Sequence, residues 1–353
     1  MNTALILTNG RLDTDDAKTA HGLIRGTSRF NITGVIDPVS AGRDAGEVLD
    51  GRHRNIPVYA SIADAIEQTQ QKPDFGIVGV ALSGGKLPKE WYQILLDAID
   101  NRINIISTMH HPLSEIPVLR DAVRKNGVQI IDLRKPKPIE ELHFWSGEIY
   151  QVKTPKIAVL GMDCSIGKRT TCRLIETACR KNGIRAEMIY TGQTGWLQGY
   201  KHGFIFDATL NDFVSGELEH AIVECARESS PDLILIEGQS GLRNPSGPCG
   251  SEIIVSANVK GVILQHAPFR RHYEELERLG CRLPDVQDEI ELIKMFGAET
   301  LAVTLNGESG AEEDLIDYQD ELAQRLGLPV IRPLQDGVTD LLPVIRRFIP
   351  KFA

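Results

Sequence analysis

Short apolar runs alternate with longer amphipathic stretches along most of this chain. The runs Thr3–Thr8, Ile32–Ile36, Phe75–Ala81, Ile103–Thr108 and Val128–Asp132 are rich in Ile, Val and Leu and end in turn-forming residues. Continuous apolar runs of this length are expected of strands buried on both faces of a parallel sheet. Between them, Asp15–Arg25, Ile62–Gln70, Lys89–Asn101 and Glu115–Asn126 space their apolar residues at a helical period. Arg134-Lys135-Pro136-Lys137-Pro138 then breaks the rhythm. Proline lacks the N–H that a helix interior or a central strand needs, so this run reads as the edge of a domain. A second series starts at Lys156, with strands predicted at Ile157–Leu160, Ala186–Tyr190, Leu233–Ile236, Gly261–Gln265, Leu301–Leu305 and Pro329–Ile331. Helices are predicted after Lys168, before Pro231, and over Asp288–Phe296 and Glu312–Leu326. Strands alternating with helices predict parallel α/β units.

The start of the second series carries the strongest chemical signal. Ala158-Val159-Leu160-Gly161-Met162-Asp163-Cys164-Ser165-Ile166-Gly167-Lys168-Arg169-Thr170-Thr171 runs from an apolar strand through a glycine-bounded loop into a helix. This is the layout of a phosphate-binding loop, in which backbone N–H groups, the helix dipole and a lysine surround an anion. The pattern G-x-x-x-x-G-K-[ST] is not met in full. Gly161 lies one residue early, and Arg169 stands where a Mg²⁺-binding hydroxyl is usual. Thr170 is displaced from that position by about 100° around the helix. Phosphate binding survives these changes better than a metal–triphosphate site does. The chain is therefore expected to hold two α/β domains, a Rossmann-like parallel sheet over residues 1–138 and a P-loop NTPase-like parallel sheet over residues 139–353.

Bulk properties narrow the partners. The length of 353 residues is enough for two cores, and 42% hydrophobic with 25% charged residues is ordinary for a globular protein. A net charge of −9 without a basic stripe argues against nucleic-acid binding. The apolar run Ala4-Leu5-Ile6-Leu7 is too short for a signal peptide or a membrane span. The six cysteines form no C-x-x-C pair, so neither a zinc site nor a disulfide framework is expected, and the cytoplasm is the expected compartment. The partner is expected to be a small molecule.

The first domain lacks the dinucleotide fingerprint, because Thr8-Asn9-Gly10-Arg11-Leu12-Asp13 follows its first strand. Asp37 could hold a ribose or simply end a strand. This domain is expected to supply substrate contacts or a homo-oligomer interface. His110 and His111 end one of its strands.

In the second domain, Leu233-Ile234-Leu235-Ile236-Glu237-Gly238 is a strand ending in an acid. Ligands of parallel sheets bind beyond the strands' carboxyl ends, so Glu237 is a candidate metal ligand or general base. His266 ends Val262–Gln265 and is suited to proton transfer, with Arg270 and Arg271 close behind as anion-binding candidates. Asp207 reads either as a helix N-cap or as a further site acid. Thr191-Gly192-Gln193-Thr194-Gly195 offers close backbone approach to a ligand, and Ser240–Ser251 is the candidate mobile loop. Cys164 reads as a loop filler or as a thiol activated by helix N–H groups.

These residues resemble a bacterial family built from an N-terminal Rossmann-like domain and a C-terminal P-loop domain, long of unknown function and now associated with D-glutamate N-acetyltransferase activity. The resemblance rests on Gly161–Thr171, Thr191–Gly195, Ile236-Glu237-Gly238-Gln239, His266-Ala267-Pro268 and His110. It implies acetyl-CoA as co-substrate, held by Gly161, Asp163, Cys164, Ser165, Gly167, Lys168, Arg169, Thr170 and Thr171. It implies Glu237, His266 or Asp207 as the base. Arg243, Arg270 or Arg271 would hold the substrate carboxylates, with His110 and Gln193 as further substrate contacts. N–H groups in Gly192–Gly195 or Gly238–Gly241 would stabilise the oxyanion. The loop is similar, more distantly, to that of dethiobiotin synthetase, which keeps an ATP- and Mg²⁺-dependent ligase or kinase as an alternative. A nucleotide sensor without turnover is a third reading.

Overall fold

The apolar runs become strands of two parallel six-stranded sheets, as the alternation predicts. The computed structural model describes residues 1–352. It divides into two units, one of Met1–Lys137 with Gln193–Gly199, the other of Pro138–Gly192 with Tyr200–Ala353.

The first unit contains β1 (Asn2–Leu7), β2 (Phe30–Ile36), β3 (Val58–Tyr59), β4 (Phe75–Val78), β5 (Asn104–Ser107) and β6 (Ile130–Asp132). Their order is β3-β2-β1-β4-β5-β6, the doubly wound arrangement with its reversal beside β1. β3 has two residues, too few for an apolar pattern to announce it. Asp37 is buried at the end of β2, where it ties the turn after β1 to its own. Its carboxylate accepts from Thr8 Oγ1 at 2.8 Å, Gly10 N–H at 2.8 Å, Leu12 N–H at 3.0 Å and Ser40 N–H at 3.0 Å. The strand-ending role is the one its geometry displays.

Gln193–Gly199 comes from the second half of the sequence but groups with the first unit. Its short helix, Gln193–Leu197, is held by side chains. The Arg29 guanidinium lies 4.1 Å from the Trp196 ring centroid, and Arg29 Nε donates to Trp196 O at 2.6 Å. Gln198 Nε2 donates to Gly22 O at 2.7 Å.

The second unit contains β7 (Lys156–Gly161), β8 (Ala186–Ile189), β9 (Leu233–Glu237), β10 (Gly261–His266), β11 (Glu299–Leu305) and β12 (Val330–Ile331). Their order is β12-β11-β10-β7-β9-β8. β7 is buried along its whole length and lies between β9 and β10. Val159 pairs with Glu237 on one side and Gly161 with Gln265 on the other. The register therefore brings the end of β7 between the carboxyl ends of β9 and β10, where this architecture binds ligands. Helix Asn211–Ser229 is covered by the segment that precedes β7. Buried Glu217 accepts from His143 N–H at 3.0 Å and buried Glu219 from Ile149 N–H at 3.0 Å. These bonds satisfy carboxylates that would otherwise be costly to bury. Among the described residues no helix is long and apolar enough to cross a membrane.

Candidate functional site

β7 ends at Gly161 and the following helix, Lys168–Lys181, begins seven positions later, as the loop motif predicts. Two left-handed residues shape the turn between them, Ser165 at φ 56° and Gly167 at φ 101°. Such turns aim successive N–H groups at a common point, and the first helical N–H groups have no partner inside the helix. A Cβ added at Gly167 would meet no atom within 4 Å, so nothing packs on that side of the residue. Lys168 is buried beneath the loop, where its ammonium donates to Asp163 O and to Ser240 O, the latter at 2.8 Å. Burial lowers the Lys168 pKa, opposed by Cys164 and Asp163.

Asp163 holds the loop in shape. It is fully buried, and Oδ1 accepts from Cys164 N–H at 2.7 Å and Asn244 Nδ2 at 2.9 Å. Oδ2 accepts from Arg270 Nη1 at 2.8 Å and Glu274 N–H at 2.7 Å. One carboxylate thus ties the phosphate loop to two distant loops, Ser240–Ser251 and the one after β10. Neither Asn244 nor Glu274 belongs to a motif, so their part was invisible in the sequence. Cys164 is half-buried and its thiol donates to Ser240 Oγ at 3.5 Å. Ser165 is exposed, with its hydroxyl donating to Glu274 Oε2 at 3.0 Å.

Glu237 stands at the end of β9 beside this loop, buried. Thr191 N–H donates to its Oε2 at 3.1 Å, and Arg169 Nη1 lies 4.0 Å from Oε1. Burial raises its pKa above the usual carboxylate range, opposed by Arg169 and by the N–H groups of Thr191 and Gly192. Gln239 Nε2 donates to Thr191 Oγ1 at 2.9 Å, which adds an amide to the group. Gly192 lies against the carboxylate, and a Cβ there would stand 3.7 Å from Glu237 Oε1 and 3.2 Å from Gln239 Nε2. The Gly192 N–H bonds Glu237, and the Gly238 N–H donates to Val159 O at 3.0 Å. These are the first N–H groups of the two candidate oxyanion ranges, Gly192–Gly195 and Gly238–Gly241.

The loop's two threonines differ. Thr170 is half-buried. Thr171 is buried, and its hydroxyl donates to Gln265 Oε1 at 2.6 Å, an oxygen that Thr304 Oγ1 also reaches at 2.7 Å.

His266 ends β10 and is buried against Tyr318, with 3.1 Å between its Nε2 and the phenol oxygen. Burial pushes its pKa down to about 4, so the ring is neutral near pH 7. Asp207 is exposed on a single 3₁₀ turn, Phe206–Ala208, and caps no helix, since Leu210 precedes helix Asn211–Ser229. Phe206 N–H donates to Thr191 O at 2.9 Å, which places this turn next to the Thr191 strand end.

The arginines are distributed unevenly. Arg270 is bonded to Asp163 and to Glu308, the latter at 2.6 Å. Arg243 Nε donates to buried Glu289 at 2.7 Å. Arg271 is exposed. His110 and Gln193 lie in the first unit, the former exposed against Gly85 and the latter accepting from Arg134 Nη2 at 3.1 Å. In the second unit the structure gathers Lys168, Arg169, Thr171 and Glu237 around the loop.

A family model described as a P-loop domain of unknown function, DUF1611_C, matches residues 143–342. A companion Rossmann-like model, DUF1611_N, matches residues 38–136. A protein named D-glutamate N-acetyltransferase from Pseudoalteromonas sp is 29% identical over 75% of this chain and 79% of its own length. Another of that name from Tritonibacter scottomollicae is 26% identical over 76% of this chain and 80% of its own length. The crystal structure of a DUF1611 family protein from Anabaena variabilis has the same fold, with a TM-score of 0.87 over 98% of this chain and all of that one at 24% identity.

Proposed function

The chain belongs to the DUF1611 family, and from that premise we propose that it is an acyltransferase moving acetyl from acetyl-CoA to the α-amine of D-glutamate. The names of the two relatives support the reading, and one observation in this chain carries it: a buried, hydrogen-bonded carboxylate, Glu237, beside the phosphate loop and 4.0 Å from Arg169. The loop N–H groups, Lys168 and Arg169 supply a positive potential that suits a phosphate group. Acetyl-CoA would bring an activated thioester together with its phosphates.

Glu237 would do the proton work. An amino acid's α-ammonium must lose a proton before nitrogen can form the new N–C bond, and the C–S bond then breaks with release of the coenzyme thiol. A carboxylate with a raised pKa is a better base than an exposed one. Thr191 and Gly192 orient Glu237 by hydrogen bonding to its oxygens. His266, whose pKa of about 4 makes it a weak base, is the poorer candidate. Arg271 is the exposed arginine available for a substrate carboxylate, because Arg243 and Arg270 are already in ion pairs. We place the enzyme in the cytoplasm on its cysteine usage.

The test is product formation by the purified protein supplied with acetyl-CoA and D-glutamate in the presence of EDTA, followed by mass spectrometry. N-acetyl-D-glutamate is expected, with less product from L-glutamate. Absence of product, together with ADP or phosphate formation when ATP and Mg²⁺ are supplied, would overturn the reading in favour of an ATP-dependent ligase or kinase.

A further inference from the structure

Phosphate loops of this architecture ordinarily place a hydroxyl directly after the lysine, where it holds Mg²⁺ against the ligand's phosphates, with an acid at the end of a neighbouring strand as the metal's second protein partner. The residues present do not fit that ion. Arg169 occupies the hydroxyl's position. The first hydroxyl after it, Thr170, is half-buried and lies about 100° further round the helix; the next, Thr171, donates to Gln265 Oε1 at 2.6 Å, and Thr304 donates to the same oxygen at 2.7 Å. The acid is in place, as Glu237 at the end of β9. Its oxygens, however, face Arg169 Nη1 at 4.0 Å and the N–H of Thr191 at 3.1 Å.

A cation is thus already built into this loop, on the same side as the acid and one residue after the buried lysine. We propose that the Arg169 guanidinium takes the place of the divalent ion beside Glu237 and offers N–H donors to the phosphate of the ligand, so that the loop binds a phosphate-bearing ligand without a metal. A planar guanidinium suits this task, since it stays charged when partly buried and meets phosphate oxygens through paired donors. Arg169 is 23% exposed at its side chain, which leaves it reachable by a ligand in the loop. The inference rests on the phosphate-loop part of the reading above and is indifferent to which ligand brings the phosphate.

The experiment is calorimetric binding of coenzyme A and of ADP to the full chain, each in EDTA and in millimolar Mg²⁺. At least one of the two is expected to bind, with a Kd that changes less than about twofold on adding Mg²⁺. Arg169→Ala is expected to weaken binding about tenfold or more, and Arg169→Lys, which keeps the charge, by less. Arg169→Thr restores the usual hydroxyl, and its binding is expected to improve when Mg²⁺ is added. Wild-type binding that requires Mg²⁺, an Arg169→Ala variant that binds like wild type, or no binding of either probe would overturn the proposal. Should Arg169→Ala not fold, the wild-type comparison with and without Mg²⁺ decides alone. Binding of ADP but not coenzyme A would sink the acetyl-CoA reading and leave this inference standing.

Discussion

Thr191 and Glu237 grip each other twice. The Thr191 N–H donates to Glu237 Oε2 at 3.1 Å, and the Thr191 hydroxyl donates to the Glu237 backbone oxygen at 2.8 Å. The second bond locks the end of β9 to the residue just past β8, and the first then fixes the carboxylate relative to that backbone. A group held this way loses little freedom when a substrate arrives, which is the geometric requirement of a general base.

Removing the charge while keeping the shape should therefore separate binding from chemistry. Glu237→Gln is expected to lower kcat for acetyl transfer by about 10²- to 10⁴-fold, while the Kd for coenzyme A changes little or tightens. Steady-state kinetics and calorimetry on the same preparation check both. A kcat within a few-fold of wild type would remove Glu237 as the base.

Gly192 tests the same carboxylate from its neighbour's side. A Cβ at this position would stand at an ordinary 3.7 Å from Glu237 Oε1 but 3.2 Å from Gln239 Nε2, so the amide must give way, and that amide is bonded to Thr191, which holds the carboxylate. Gly192→Ala is expected to cost roughly 10- to 100-fold in kcat, the scale of a small displacement of a reacting group. Its thermal unfolding midpoint should stay close to wild type, because the backbone there needs no left-handed conformation. An unchanged kcat would show that Glu237 is not positioned from this side.

Much of this arrangement could be read along the chain, for reasons that differ by residue. β7, β9 and β10 are mostly continuous apolar runs, and Glu237 and His266 close the last two of them, so the sequence places both at strand ends. Their environments were not legible. The ring of His266 packs on Tyr318, a residue on helix Glu312–Leu326 that shares no motif with it. The two-residue strand β3 and the helix Gln193–Leu197 are too short to carry a period and exist through tertiary contacts such as Arg29 on Trp196. Asp163 reads in the sequence as a ligand-facing loop residue, and only the fold reveals that Asn244, Arg270 and Glu274 converge on it.

That convergence has a measurable consequence for stability. Asp163→Ala would leave the part-buried Arg270 with one acid partner, Glu308, and strip acceptors from the Asn244 amide and the Cys164 and Glu274 N–H groups. Breaking a buried ion pair by removing one side costs about 3–5 kcal/mol. Urea unfolding of Asp163→Ala is expected to show a loss of this size, and Asp163→Asn, which keeps acceptor capacity on one oxygen, a smaller one. A loss under about 1 kcal/mol would mean that the loop holds its shape without Asp163.

His266 makes the stability of the protein depend on pH. Burial lowers its pKa from the ordinary 6.5 to about 4, the Asp285 carboxylate opposing the shift and Arg325 adding to it. Between these two values the unfolded chain binds a proton that the native state does not. The native state is therefore undisturbed above about pH 6.5 and loses stability as the pH falls toward 4, after which this residue adds no further loss. One proton costs 1.36 kcal/mol per pH unit, so the loss should reach about 3 kcal/mol. Other groups titrate in the same window, among them His21 and His202, which burial also lowers, so the comparison must be between wild type and a variant. His266→Gln cannot take up the proton, and urea-unfolding free energies of the two proteins are expected to converge from pH 7 to pH 4 by about that amount. Parallel curves over the whole range would show that the ring is protonated in the native state or reaches solvent.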